Sequence, residues 1–249
     1  MFKLLSKPIS NYKAKKNIHL KVHTYFLSLA HSDLSGYNVC PMANKLTENE
    51  QNKNKSNCSF TCVGYRGGAQ MFPKVMESRI KKTKMFFEDR KTFLQLLVKD
   101  IQKAIKSSIK QGFTPTFRLN AYSDIRWENY KIQDNKNIFE LFPNIEFYDY
   151  TKLTNRKTPK NYSLTYSHFG KWSQTDKAIK SGQNVAMVFN TKVKNDLPST
   201  YNNLSVIDGD KTDLRTAKND GSNVIVGLRF KGSKKDLDSH LDNFVIDTK

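Results

Sequence analysis

Apolar positions along this chain fall into short continuous runs. The first is Tyr25-Phe26-Leu27-Ser28-Leu29-Ala30, within residues 18–30, which reads as a buried strand. Between residues 72 and 110 the period changes. Phe86, Phe93, Leu96, Leu97, Ile101 and Ile105 recur at helical spacing, with one break near Glu88-Asp89-Arg90, and Gly112 stops the helix. Six more short apolar runs follow, at residues 116–119, 145–148, 162–166, 185–189, 204–207 and 224–228. Short helices are predicted between several of them, as at 127–142 and 175–181. Strands alternating with helical segments predict an α/β fold with a parallel sheet. About seven strands fit a single partial βα barrel, TIM-like, with six to eight mainly parallel strands. A doubly wound sheet is the alternative, and it needs longer helices than some of these gaps allow. Residues 1–17 form a basic N-terminal arm, and residues 18–249 form one barrel domain with a polar, cysteine-bearing loop at about 31–70.

The strand ends are polar. Asn120, Ser123 and Asp124 follow the second strand, Asp149 the third, His168 the fourth, Asn190 the fifth, Asp208 the sixth and Lys231-Gly232 the seventh, six polar ends in all. In parallel α/β folds ligands bind beyond the carboxyl ends of the strands. Ordinary turn chemistry explains one or two such residues. Six in succession point to a polar mouth, with Asn120, Ser123, Asp124, Asp149, Asn190 and Asp208 as binding candidates.

Charge adds a partner class. The formal net charge is +19. The excess is Lys rather than Arg and is spread along the chain, as an AT-rich gene would give. It supports non-specific phosphate contact with nucleic acid, not base reading by forked Arg. No run approaches the roughly 18 apolar residues of a membrane helix. Residues 1–10 lack the apolar core of a signal peptide. With an odd number of cysteines, three, a soluble protein of the reducing cytoplasm is expected.

Those cysteines, Cys40, Cys58 and Cys62, are spaced C-x17-C-x3-C in a polar segment flanked by Gly and Pro. Packing gives no reason for them there. Three thiolates make a soft ligand set suited to an iron–sulfur cluster or to zinc. On a four-iron (4Fe-4S) cluster they leave one iron open to a small molecule. Zinc would require a fourth ligand, from His31 or His23. Unliganded cysteines are the third alternative. Elsewhere, Asp208, Asp210 and Asp213 could hold Mg²⁺, though turns and a pairing with Arg215 suit them better. Asp124, Asp149 and Asp208 could converge as a carboxylate cluster. His168 suits acid–base work or a structural hydrogen bond. Gly64-Tyr65-Arg66-Gly67-Gly68 could cradle an anion.

The runs Cys40-Pro41-Met42-Ala43, Cys58-Ser59-Phe60-Thr61-Cys62-Val63-Gly64-Tyr65-Arg66-Gly67-Gly68-Ala69 and Phe72-Pro73-Lys74-Val75-Met76-Glu77-Ser78-Arg79 resemble the phage gene product 88 family, whose function is unknown. Segments 118–124, 208–215 and 226–232 extend the resemblance over residues 25–232. That family is in turn similar to the radical SAM barrel enzymes. The similarity implies that Cys40, Cys58 and Cys62 hold a 4Fe-4S cluster and that Phe60 packs near the cofactor. It also implies that Ser123 and Asp124 contact the methionine part of S-adenosylmethionine. The superfamily spacing is CxxxCxxC, and its Gly-Gly-Glu element is replaced here by Asn120-Ala121-Tyr122-Ser123-Asp124. The expected function is a phage-type iron–sulfur enzyme acting on an unknown small-molecule or nucleic-acid substrate. The rival is a non-catalytic basic protein, stabilised by zinc or a cluster, that binds nucleic acid or a host factor.

Overall fold

The computed structural model describes residues 2–10, 12–31, 34–43, 62, 72–191, 197–231 and 244–247. It is a mixed α/β protein, with nine strands among the described residues. The described strand pairings are parallel except for one antiparallel pair. The α/β class and the mainly parallel strands agree with the apolar runs. Two compact units divide the chain. One comprises Met1–Pro41, Val63–Asp149 and Arg156–Ser163, and the other Met42–Cys62, Tyr150–Asn155 and Leu164–Lys249.

The first unit holds α1 (Tyr12–Lys15), β1 (Val22–Phe26), α2 (Pro73–Glu88), α3 (Arg90–Lys110), β2 (Thr114–Arg118), α4 (Ile138–Leu141) and the start of β3 (Glu146–Thr151). The strands pair in the order β1-β2-β3. All five residues of β1 are buried, as in parallel sheets covered on both faces. On one face Tyr25, Phe117 and Phe147 are cross-strand neighbours, their rings 5.4 and 5.5 Å apart. This ladder faces α3, where the Tyr25 hydroxyl lies 2.9 Å from that of Ser108. α3 buries Phe93, Leu94, Leu97, Ile101, Ala104 and Ser108, one apolar stripe at helical period. The other face is hydrogen-bonded. The Thr24 and Thr116 hydroxyls meet at 2.9 Å, and the Asn17 amide donates to Thr24 and to Tyr148.

The break expected at residues 88–90 is a single residue. Asp89 ends α2 through its N–H to the Met85 carbonyl, and its carboxylate caps α3 by accepting from Thr92 N–H. Gly112, at φ +74°, turns the chain into β2.

Two expectations are corrected. The first strand runs Val22–Phe26; Leu27 beyond it keeps its N–H on the Arg118 carbonyl and also bridges antiparallel to Leu5. The run to Ala30 marks burial rather than strand. The helix expected at 127–142 is only a 3-10 turn, Trp127–Asn129, followed by α4. Asp134 and Asn135 adopt positive φ between them, inside a reversal closed by the Gln133–Lys136 bridge. Asn137 and Glu140 then start α4 with a reciprocal capping box.

The second unit holds the end of β4 (Tyr162–Ser167), α5 (Trp172–Lys180), β5 (Val185–Phe189), β6 (Thr200–Tyr201), β7 (Leu204–Asp208), α6 (Ala217–Asp220), β8 (Ile225–Arg229) and β9 (Val245–Ile246). Its ladder runs β4-β5-β8-β7-β6, with β9 also on β5, and only β6 and β7 are antiparallel. The core gathers Tyr166, Phe169, Ala178, Val185, Met187, Phe189, Ile225 and Ile246. Among the described residues no helix is long and apolar enough to cross a membrane.

The end of β7 passes close to β8. A Cβ added to Gly209 would lie 2.5 Å from Val226 Cγ1 and 3.0 Å from the Gly227 carbonyl oxygen. Gly209→Ala should therefore cost about 1–3 kcal/mol by overpacking. The check is a lower urea midpoint at unchanged m value; an unchanged midpoint would refute the close approach.

Candidate functional site

The loop after β2 contains three of the predicted binding residues, and its shape is set by Asn120. The Asn120 Oδ1 accepts from the Ser123 hydroxyl (2.8 Å), Ile125 N–H (3.0 Å) and Trp127 Nε1–H (3.1 Å). Its Nδ2 donates to the Ile125 carbonyl (2.9 Å) and the Tyr162 hydroxyl (3.3 Å). An amide saturated in this way fixes the loop, because each buried polar group needs its partner. Asn120 and Ser123 are both buried, and their side chains are bonded to each other.

Asp149, on β3, is fully buried. It accepts from Leu119 N–H and Asn120 N–H (3.1 Å each) and from the Tyr162 hydroxyl (3.1 Å), with Arg118 Nε at 3.6 Å. Burial pushes its pKa up to about 7, against the pull of Arg118, the Asn120 N–H and the Tyr162 hydroxyl.

Arg156 closes the other side of the loop. Its Nε and Nη2 fork the Glu128 carboxylate at 2.9 and 2.7 Å, and Nη1 meets Asp124 Oδ1 at 2.9 Å. Asp124 is thus ion-paired, and its backbone N–H donates to the Val39 carbonyl (2.9 Å). That bond ties the β2 loop to the segment after β1. In that segment the Asn38 side chain accepts Cys40 N–H (2.7 Å), and the Cys40 thiol donates to the Tyr122 carbonyl (3.7 Å).

Cys40 and Cys62 are both half-buried thiols. A half-exposed loop thiol suits a metal ligand better than a packing group. Cys58 and Phe60 lie outside the described residues, as does Gly64-Tyr65-Arg66-Gly67-Gly68. Among the described residues no group of three His, Cys, Asp or Glu is gathered to hold a metal. His23 is committed elsewhere. It stacks on Phe113 with centroids 3.9 Å apart, and its Nδ1 lies 3.2 Å from the Ser108 hydroxyl.

In the second unit, Asp208 and Asp210 end β7 and face Arg229. Arg229 Nη1 lies 2.9 Å from Asp208 and 3.4 Å from Asp210, and Lys231 also pairs with Asp210. Hydrogen bonds from Arg229 and Lys231 hold both carboxyls below their ordinary range, although burial opposes this. The expected pairing of this acidic run with Arg215 is corrected, since Arg215 meets Asp220 at 3.3 Å. Asn190 leaves β5 with its N–H on the Ile246 carbonyl and its amide 3.4 Å from Asp247. A cavity of about 290 Å³ is lined by Trp172, Tyr201, Ile246 and Asp247. His168 has a structural role. Its Nε2 accepts from Gly170 N–H (3.3 Å), which leaves the Nδ1 proton for the Thr175 hydroxyl (2.7 Å).

Sequence reading missed Glu128, Arg156 and Tyr162. The one available signal was the rarity of Arg in a Lys-rich chain, since Arg persists where a fork is needed.

Parallel strands whose carboxyl-end loops carry the buried polar network, with a thiol segment bonded to one such loop, define an α/β protein. The gene product 88 family model matches residues 3–243, and the chain belongs to that family. No curated protein and no solved structure matches it.

The Asp149 carboxyl gives a pH test. Its folded pKa lies above that of an unfolded aspartate, so the folded state holds the proton more tightly. The associated stability is present below about pH 4 and is lost as pH rises through about 7. Wild-type stability relative to Asp149→Asn should fall across that window, by at most about 4 kcal/mol. Urea unfolding at pH 4 and pH 8 measures the difference; a constant gap would mean the carboxylate is ionised throughout.

Proposed function

We propose that this is a phage iron–sulfur protein in which Cys40, Cys58 and Cys62 hold a 4Fe-4S cluster, within a radical SAM-like partial barrel. The observation that carries the reading is the setting of Cys40. It follows the first parallel strand, half-exposed, with its thiol and flanking backbone bonded to the loop after the second. Asn38 orients the Cys40 backbone. Asn120 and Arg156 stiffen the loop against which the cysteine rests. A three-cysteine cluster supplies a low-potential electron and one open iron for a small molecule, here S-adenosylmethionine. Phe60 would lie beside the last cysteine. Backbone groups around Ser123 and Asp124 would line the cofactor side. The substrate class that fits the basic chain is a nucleotide or nucleic acid.

Anaerobic purification followed by iron and sulfide assays tests the reading. The expected result is a brown protein with matched iron and sulfide, and loss of both in Cys40→Ser. A protein that stays metal-free after reconstitution would overturn it. Bound zinc without sulfide would support a zinc-stabilised fold instead. Where a cluster forms, 5′-deoxyadenosine release from S-adenosylmethionine tests the enzymatic part.

A second reading, non-specific nucleic-acid binding, is favoured by α3. Lys99, Lys103, Lys106 and Lys110 are exposed at positions i, i+4, i+7 and i+11, on one side of the helix. Binding to a DNA or RNA duplex should weaken linearly with the logarithm of salt concentration. Reversing Lys99, Lys106 and Lys110 to Glu should flatten that slope, measured by fluorescence anisotropy. An unchanged slope would exclude this face.

A further inference from the structure

Buried arginines in this protein come with carboxylates. Arg118 faces Asp149, Arg156 forks Glu128 and meets Asp124, Arg215 faces Asp220, and Arg229 faces Asp208 and Asp210. Arg79, on α2, differs. It is only 6% exposed, and among the described residues neither its Nε nor its Nη1 has a hydrogen-bond partner. Its guanidinium carbon lies 4.0 Å from the centre of the Tyr122 ring. A cation–π contact steadies a guanidinium, but it accepts none of its N–H donors.

The surroundings add positive charge. Burial first, and then the Arg79 charge, pull the Lys82 ammonium below its ordinary range; Asp100 opposes them. Lys82 is held by the Leu4 carbonyl at 2.9 Å, and Asp100 accepts the Leu4 N–H at 2.7 Å. Among the described residues no hydrogen bond or ion pair joins Asp100 to Arg79. A buried charge without a counter-charge costs several kcal/mol. Folding alone gives no return for that cost, whereas an anion entering from outside would supply both the charge and the acceptors.

We propose that Arg79 is the receiving group of an anion-binding subsite beside Cys40, for a ligand presenting a carboxylate or phosphate group. The Tyr122 ring that Arg79 covers belongs to the residue whose carbonyl takes the Cys40 thiol. The subsite thus adjoins the thiol segment at the carboxyl end of β2. It extends the functional reading without depending on iron, because Arg79, Tyr122 and Cys40 all lie in the first unit.

The test uses the full chain without metal, at fixed ionic strength. Chloride is replaced by inorganic phosphate in one series and by acetate in another, with wild type, Arg79→Met and Arg79→Lys compared by calorimetric titration and thermal melting. Wild type should bind one of the two anions with a Kd at least about tenfold lower than either variant, as befits a lost charge-assisted fork. The stronger anion identifies the ligand as phosphate or carboxylate. In chloride alone Arg79→Met should melt at or above the wild-type temperature, since an uncompensated buried charge has been removed. Equal anion affinity in all three proteins would overturn the proposal. So would a collapsed Arg79→Met combined with an Arg79→Lys that binds as wild type does. Neither outcome bears on the iron assay, so the two readings fail separately.

Discussion

One buried carboxylate joins three strands of the first unit. Asp149 sits on β3, takes both N–H groups at the end of β2, and receives the hydroxyl of Tyr162 at the start of β4. Remove those acceptor oxygens and two backbone donors are left in a region closed to water, at a cost of about 1–3 kcal/mol each. Asn120, whose N–H is one of those two, is also the residue whose amide arranges the following loop. The loop in turn bears on the segment carrying Cys40. Asp149 is therefore the interior anchor from which the carboxyl-end architecture is built outward.

Much of this was legible in the sequence. Six apolar runs after residue 112 coincide with strands, because in a covered parallel sheet continuous apolar character is itself the strand signal. The break at Asp89 was visible because an acidic residue interrupts the apolar stripe where it can cap the next helix. The failures also have physical causes. Leu27 still gives its N–H to the Arg118 carbonyl at the end of β2, but Leu29 and Ala30 lie beyond the strand and are apolar for burial. The stretch 127–142 has helix-forming residues, but two left-handed residues at 134 and 135 reverse it.

The polar strand ends were found by position, and their partners were not. Asn120, Ser123, Asp124, Asp149 and Asp208 are all engaged, mostly with groups distant in sequence. Arg156 lies 32 residues from Asp124, and Arg229 lies 21 from Asp208. Spacing cannot reveal such pairs. Residue choice gives a hint, since only eight of the 42 Lys and Arg residues are Arg. Among the described residues Arg118, Arg156, Arg215 and Arg229 face carboxylates. Arg79 stands out because it was spent on a buried position with none.

The forked pair of Arg156 and Glu128 has a practical consequence. Its side chains are almost wholly shielded from solvent, so mobile ions barely screen it. The lysine-rich exterior is screened strongly over the same range. The protein therefore contains two electrostatic systems with different sensitivities, one holding the loop and one spread over the exterior. Raising ionic strength should silence the outer system while the inner one keeps its geometry.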